Sequence, residues 1–89
     1  MVSEKDVSRS KWFVYLIQCS DGTFYCGVTT NVDRRIHEHN NTAKGAKYTR
    51  GRRPVTLVGY LEHDSRSKAL IEEARIKKLN RCEKQNLFL

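Results

Sequence analysis

A nearly continuous apolar run, WFVYLIQC, occupies Trp12 to Cys19. It is rich in the aromatic and β-branched residues that favour strands, and it is apolar at odd and even positions alike. That pattern predicts a strand covered on both faces. Ser20-Asp21-Gly22 supplies turn chemistry, and TFYCGV at 23–28 reads as a second strand. The two form a hairpin, antiparallel because the connection is so short. Helical spacing begins at Val32 and Ile36, with Thr30 or Asn31 as N-cap, Asp33 in the first turn and Asn40-Asn41 as the end. Residues 41–53 read as a loop closed by Pro54, and VTLVGYL at 55–61 is a third strand. A second helix starts at Ser65 or Ser67, with Ala69, Leu70, Ile76 and Leu79 inward, and residues 81–89 form a short last helix. The predicted order is β-β-α-β-α-α, an α+β fold with a small three-stranded antiparallel sheet flanked by helices. Residues 1–10 (MVSEKDVSRS) carry no periodicity and are expected to be a flexible leader to a single domain over 11–89.

Charge changes this picture more than length does. The 89 residues suffice for one domain, and 38% hydrophobic content is too high for a disordered chain. Lys and Arg number 17 against 10 acids, a net charge of +7 on a very small body. Such a field favours a polyanionic partner: nucleic acid first, with a ribosomal or anionic-membrane surface sharing the same property. Cys19, Cys26 and Cys82 are odd in number and lack CxxC spacing, which argues against a disulfide framework and a zinc site. A reducing, cytoplasmic location is the simple expectation. No apolar run is long enough to span a membrane, and no signal-peptide core opens the chain.

Four groups of residues could carry chemistry. Tyr15 and Tyr25 lie on successive strands, and their relation depends on the hairpin register. A two-residue Asp21-Gly22 turn puts them on opposite faces. A three-residue Ser20-Asp21-Gly22 loop, with Gly22 left-handed, puts them on one face and sets Gly27 opposite Tyr15, leaving space beside the phenol. Arg35 and His39 are four apart, hence neighbours on one helix face, at the seam between the Val32–Ile36 stripe and solvent. A guanidinium there can hold a phosphate, while His37 points elsewhere. Lys44, Lys47, Arg50, Arg52 and Arg53 crowd one acid-free segment with Tyr48 in its middle, a composition suited to tracking a nucleic-acid backbone and stacking on bases. Glu72 and Glu73 fall within or beside the apolar stripe of the second predicted helix. A carboxylate so placed needs a salt bridge, for which Arg35, Arg75 and Lys77 are available, or a cation such as Mg²⁺ or Mn²⁺. Each group also has an ordinary structural reading as packed tyrosines, a solvated helix face, a charged loop or an ion pair.

Taken in order, VYL at 14–16, YCG at 25–27, RRIHEH at 34–39 and EARIKKL at 73–79 resemble the GIY-YIG nuclease superfamily. The likeness runs from Trp12 to Gln85. GAKYTRGRRPVTLV at 45–58 is similar to a small stand-alone bacterial group, related to the catalytic subunit of the eukaryotic structure-selective junction nuclease. The resemblance implies an endonuclease using Mg²⁺ or Mn²⁺, acting on nucleic acid with DNA favoured over RNA, in repair or recombination. It implies catalytic roles for Tyr15, Tyr25, Arg35, His39 and Glu73, with Glu73 holding the metal and Glu72 as the alternative. Tyr48 matches a tyrosine of the stand-alone group. Phe13-Val14 stand where the first motif has its glycine, and Cys26 replaces the isoleucine of the second. With no added DNA-binding domain, specificity must come from the chain's own surface or a protein partner. Two other classes fit the same composition: a non-catalytic nucleic-acid-binding module with this fold, and a structural or ribosome-associated protein using only the basic surface.

Overall fold

The computed structural model describes residues 11–88. The predicted leader lies outside them. The elements are β1 (Trp12–Gln18), β2 (Phe24–Thr29), α1 (Val32–Asn41), α2 (Lys47–Arg50), β3 (Thr56–His63), α3 (Arg66–Lys77) and α4 (Arg81–Leu87). They form an antiparallel sheet in the order β2-β1-β3, so the apolar run is the central strand. The expected fold class holds, with one added element: the segment read as a loop contains the single-turn helix α2.

The hairpin takes the three-residue form. Cys19 N–H donates to Thr23 O at 2.8 Å, Gly22 N–H donates to Cys19 O at 2.9 Å, and Gly22 has φ 86°. That backbone conformation is open to glycine at little cost. The resulting register sets Tyr15 against Gly27 and Ile17 against Tyr25, so both tyrosines share a face.

β1 therefore divides two cores. Val14 and Leu16 face α3 and α4 in an aliphatic cluster with Cys26, Ala69 and Ile76, edged by Val58, Leu61, Leu87 and Phe88. Tyr15, Ile17 and Cys19 face the other way with Val55, under Ile36 of α1. A bulge between Leu16 and Ile17 brings Leu57 opposite Ile17 and leaves Val58 with the aliphatic cluster.

Helix boundaries follow local chemistry. Asn31 caps α1, accepting from Arg34 N–H at 3.0 Å, and Ser65 caps α3, accepting from Lys68 N–H at 3.2 Å. Asn80 and Glu83 form a reciprocal capping box on α4. Asn40 does more than end α1. Its amide accepts from Val55 N–H at 2.6 Å and donates to Val55 O at 3.1 Å, fixing where β3 begins. Leu70 departs from the expected inward set: it is 36% exposed, while Ala69 and Ile76 are fully buried.

Candidate active site

Alternation on the hairpin sends the Tyr15 side chain into the polar core and lays it over Gly27. A Cβ on Gly27 would come within 2.4 Å of Tyr15 Oη, so the phenol occupies the space a side chain would need. From α1, His39 meets it: Tyr15 Oη and His39 Nε2 are 2.7 Å apart. His39 is fully buried, not at the solvent seam expected of it. Position 39 follows Ile36 by three residues, so the apolar stripe extends to it, and its polarity concealed this in the sequence.

The far side of the imidazole has two partners. The backbone N–H of Ala46 donates to His39 Nδ1 at 3.3 Å, and Thr49 Oγ1, also fully buried, lies 3.0 Å from the same nitrogen while donating to Ala46 O at 2.8 Å. The Ala46 amide fits Nδ1 as an acceptor, whereas Thr49 Oγ1, its proton committed to Ala46 O, fits Nδ1 as a donor, so the two contacts favour opposite tautomers. With either tautomer a single hydrogen bond joins Tyr15 to the ring. Burial, then the Arg35 charge, lowers the His39 pKa to about 4, keeping the ring neutral. Burial likewise pushes the Tyr15 phenol well above its ordinary value, with Arg35 pulling in the opposite direction. Thr49 and Ala46 escaped the sequence reading because α2 shows no periodicity.

Arg35 Nη1 donates to Glu38 Oε1 and to Lys44 O, each at 2.9 Å, which orients the guanidinium on α1. Tyr25 lies beside Tyr15, ring centroids 6.5 Å apart, and stacks on Tyr48 at 5.8 Å. From the opposite side of the sheet, α3 brings Glu73 around the edge of β2. Tyr15, Tyr25, Gly27, Arg35 and Glu73 all line one cleft, which continues past Val28 and Leu70 to Trp12 and Arg66. Both glutamates have basic neighbours. Glu73 Oε2 lies 3.6 Å from Lys77 Nζ, whereas Glu72 pairs with Arg75 and approaches His63 Nε2 at 3.9 Å. Only Glu73 of the two lines the cleft. It also adds to the burial that pushes the Cys26 thiol up to about 11.

Residues 11–86 match the family described as the GIY-YIG catalytic domain. The chain belongs to the GIY-YIG family. Its relatives are small stand-alone members: UPF0213 proteins of Desulfotalea psychrophila, 50% identical over 97% of this chain and 78% of the relative, and of Halobacterium salinarum, 57% identical over 84% and 96%. The solution NMR structure of a protein from E. faecalis is similar at TM-score 0.61 and 42% identity, covering 88% of this chain and 82% of that one. The UPF0213 protein from Bacillus halodurans, also solved by NMR, gives 0.54 and 45%, covering 86% and 81%. Membership of the GIY-YIG family supports nuclease-type chemistry and interaction with nucleic acid.

Much of the basic segment holds this GIY-YIG domain together. Arg53 donates to His39 O at 2.6 Å and also to Thr42 O, closing the C-terminal end of α1. Arg52 reaches Asp21 at 3.0 Å and Tyr48 O at 2.7 Å, with its guanidinium 4.0 Å above the Tyr48 ring. Arg50 donates to Ala43 O at 3.1 Å. Tyr48 lies between Tyr25 and Arg52 contacts, so this loop is wired to the cleft. Lys44 and Lys47 are exposed, with no side-chain bond or ion pair among the described residues. No described helix is long and apolar enough to cross a membrane.

Proposed function

We propose that the protein is a divalent-metal-dependent endonuclease that hydrolyses phosphodiester bonds in structured or branched DNA, in repair or recombination, within a reducing cytoplasm. The observation that carries this reading is the convergence of Tyr15, Tyr25, Arg35 and Glu73 on one cleft, from two strands and two helices on opposite sides of the sheet.

The donor set fits a particular kind of ion. Among the described residues no three His, Cys, Asp or Glu side chains cluster as a metal cage, and the cleft offers the single carboxylate of Glu73. One carboxylate, completed by waters and substrate phosphate, suits Mg²⁺ or Mn²⁺ and not zinc. Glu73 is the residue that would hold it, and the bound ion would supply positive charge against the charge that builds on the phosphate.

The remaining work falls to the chain's own residues. Arg35, already oriented by Glu38 and Lys44 O, stabilises the developing charge on phosphate oxygen. Tyr15 handles the proton of the attacking water: having given up its phenol proton to solvent in the cleft, its oxygen receives the water's proton, and the Arg35 charge favours the intervening phenolate against the cost of burial. Tyr25 orients the water, and Tyr48 with Lys44, Lys47, Arg50, Arg52 and Arg53 presents a positive border to the backbone.

A panel of duplex, flap, splayed and junction DNA, with an RNA counterpart, tests this with Mg²⁺ or Mn²⁺. Cleavage should vanish in EDTA. It should also fall by roughly two orders of magnitude in Arg35→Ala and in Glu73→Ala, both remaining folded. Activity that persists in chelator, or in both variants, rejects the reading. Tight binding with no cleavage of any substrate would instead make the protein a binding module with this fold.

A further inference from the structure

The cleft has two parts, and the proposed chemistry uses only one. Tyr15, Tyr25, Arg35 and Glu73 make the polar part. The other part is walled by Trp12, Val28 and Leu70 and bordered by Arg66, at the first turn of α3. Leu70 belongs to an amphipathic stripe by sequence, yet it is 36% exposed and faces this cleft instead of the core.

Arg66 differs from the other arginines. Among the described residues Arg34, Arg35, Arg50, Arg52, Arg53, Arg75 and Arg81 each hold a carboxylate, a carbonyl or a hydroxyl. The Arg66 guanidinium has no such partner there. Its neighbour is the Trp12 ring, 5.8 Å from guanidinium carbon to centroid. A guanidinium with no such partner among the described residues, set beside an aromatic and aliphatic wall and opening onto the proposed cleavage site, has the chemistry of a nucleotide subsite: phosphate on the cation, base on the wall.

We propose that Arg66, Trp12 and Leu70 form a subsite for an unpaired nucleotide adjacent to the bond that is cut, with Arg66 holding its phosphate and Trp12 and Leu70 packing its base. This deepens the nuclease reading and rests on it for the word "cut". The preference for an unpaired nucleotide follows from access, because in a duplex both faces of each base are covered by its neighbours and only a splayed base can lie on Trp12. The subsite therefore selects flaps, splayed arms and single-stranded ends over continuous duplex.

Trp12 is the only tryptophan of the chain, so its fluorescence reports on this wall alone. The test titrates the full-length protein in EDTA, where nothing is cut, with a single-stranded oligonucleotide and with a blunt duplex of the same sequence. Single strand should change Trp12 emission and bind more tightly than duplex. Arg66→Ala should lower the slope of log affinity against log salt by about 0.7, the value of one single-strand phosphate contact. That corresponds to about fivefold weaker binding at 0.1 M than wild type, relative to 1 M salt. Arg66→Lys should restore the slope. Circular dichroism verifies that both variants are folded. Unchanged Trp12 emission on binding, equal response to duplex, or a wild-type salt slope in Arg66→Ala overturns the subsite. The two readings fail separately. Arg35-dependent cleavage without a Trp12 response keeps the nuclease and removes the subsite. A Trp12 response that depends on Arg66, without cleavage of any substrate, keeps the subsite and removes the nuclease.

Discussion

On one side of β1, Val14 and Leu16 meet aliphatic and aromatic carbon and the thiol of Cys26. On the other, Tyr15 meets an imidazole, with a threonine hydroxyl and a backbone amide behind it. The aliphatic side gains its stability from area removed from water and tolerates any shape that fills the space. The polar side gains little from its bonds in net terms and loses heavily if one partner is removed, since each buried group depends on the next. A single strand thus separates the part of the molecule that holds it folded from the part that carries the candidate site, using nothing more than side-chain alternation.

Substitutions can break that separation or sharpen it. The largest effect is expected from Leu16→Ala, which opens a cavity in the aliphatic core and should lower stability by about 2–5 kcal/mol in chemical denaturation. For so small a domain this is much of the total. Next comes acidification, which acts through the polar side. Unfolded His39 takes up a proton near pH 6.5, whereas the folded protein resists until about pH 4. The contribution of the neutral ring is therefore complete above 6.5, falls as pH drops through that window and is gone below about 4. At roughly 1.4 kcal/mol per pH unit it is on the order of 3 kcal/mol. His39→Gln should flatten this part of a stability–pH curve, and an unchanged slope would deny that the ring is buried neutral. Tyr15→Phe keeps the ring and removes one oxygen. Cleavage should drop roughly a hundredfold, while stability falls by about 1–3 kcal/mol, the cost of leaving the buried His39 Nε2 without its partner. A loss of folding comparable to Leu16→Ala would erase the distinction between the two sides. The smallest effect is expected from Glu72→Ala. Its partly exposed pair with Arg75 should be worth less than about 1 kcal/mol, and cleavage rates should stay near wild type. A collapse of activity there would exchange the roles of Glu72 and Glu73.

The aliphatic side was easier to read from the sequence than the polar one. Strand composition gave β1 its central place, and Ser20-Asp21-Gly22 narrowed the hairpin to two registers. The left-handed Gly22 then selects the one that joins Tyr15 to Gly27. Polar burial left weaker traces. His39 lies on the α1 stripe but does not look like a core residue. α2 consists of Lys47, Tyr48, Thr49 and Arg50, whose helical turn depends on distant partners: His39 for Thr49, and Arg52 with Tyr25 for Tyr48. The arginines of residues 50–53 showed their charge in sequence and concealed their carbonyl partners. Arg66 was passed over because one cation on a helix carries no signal until Trp12, more than fifty residues earlier, is brought beside it.

Three residues of β2, Tyr25, Gly27 and Val28, line the cleft. β2 is also one outer strand of the sheet, and β3 is the other. A strand added along β2, from a second copy or from any extended peptide, would roof the cleft and exclude substrate. Sheet extension is compatible with an open site only through β3. For this molecule, then, the two outer strands differ: pairing along β2 crowds the cleft, and pairing along β3 leaves it clear.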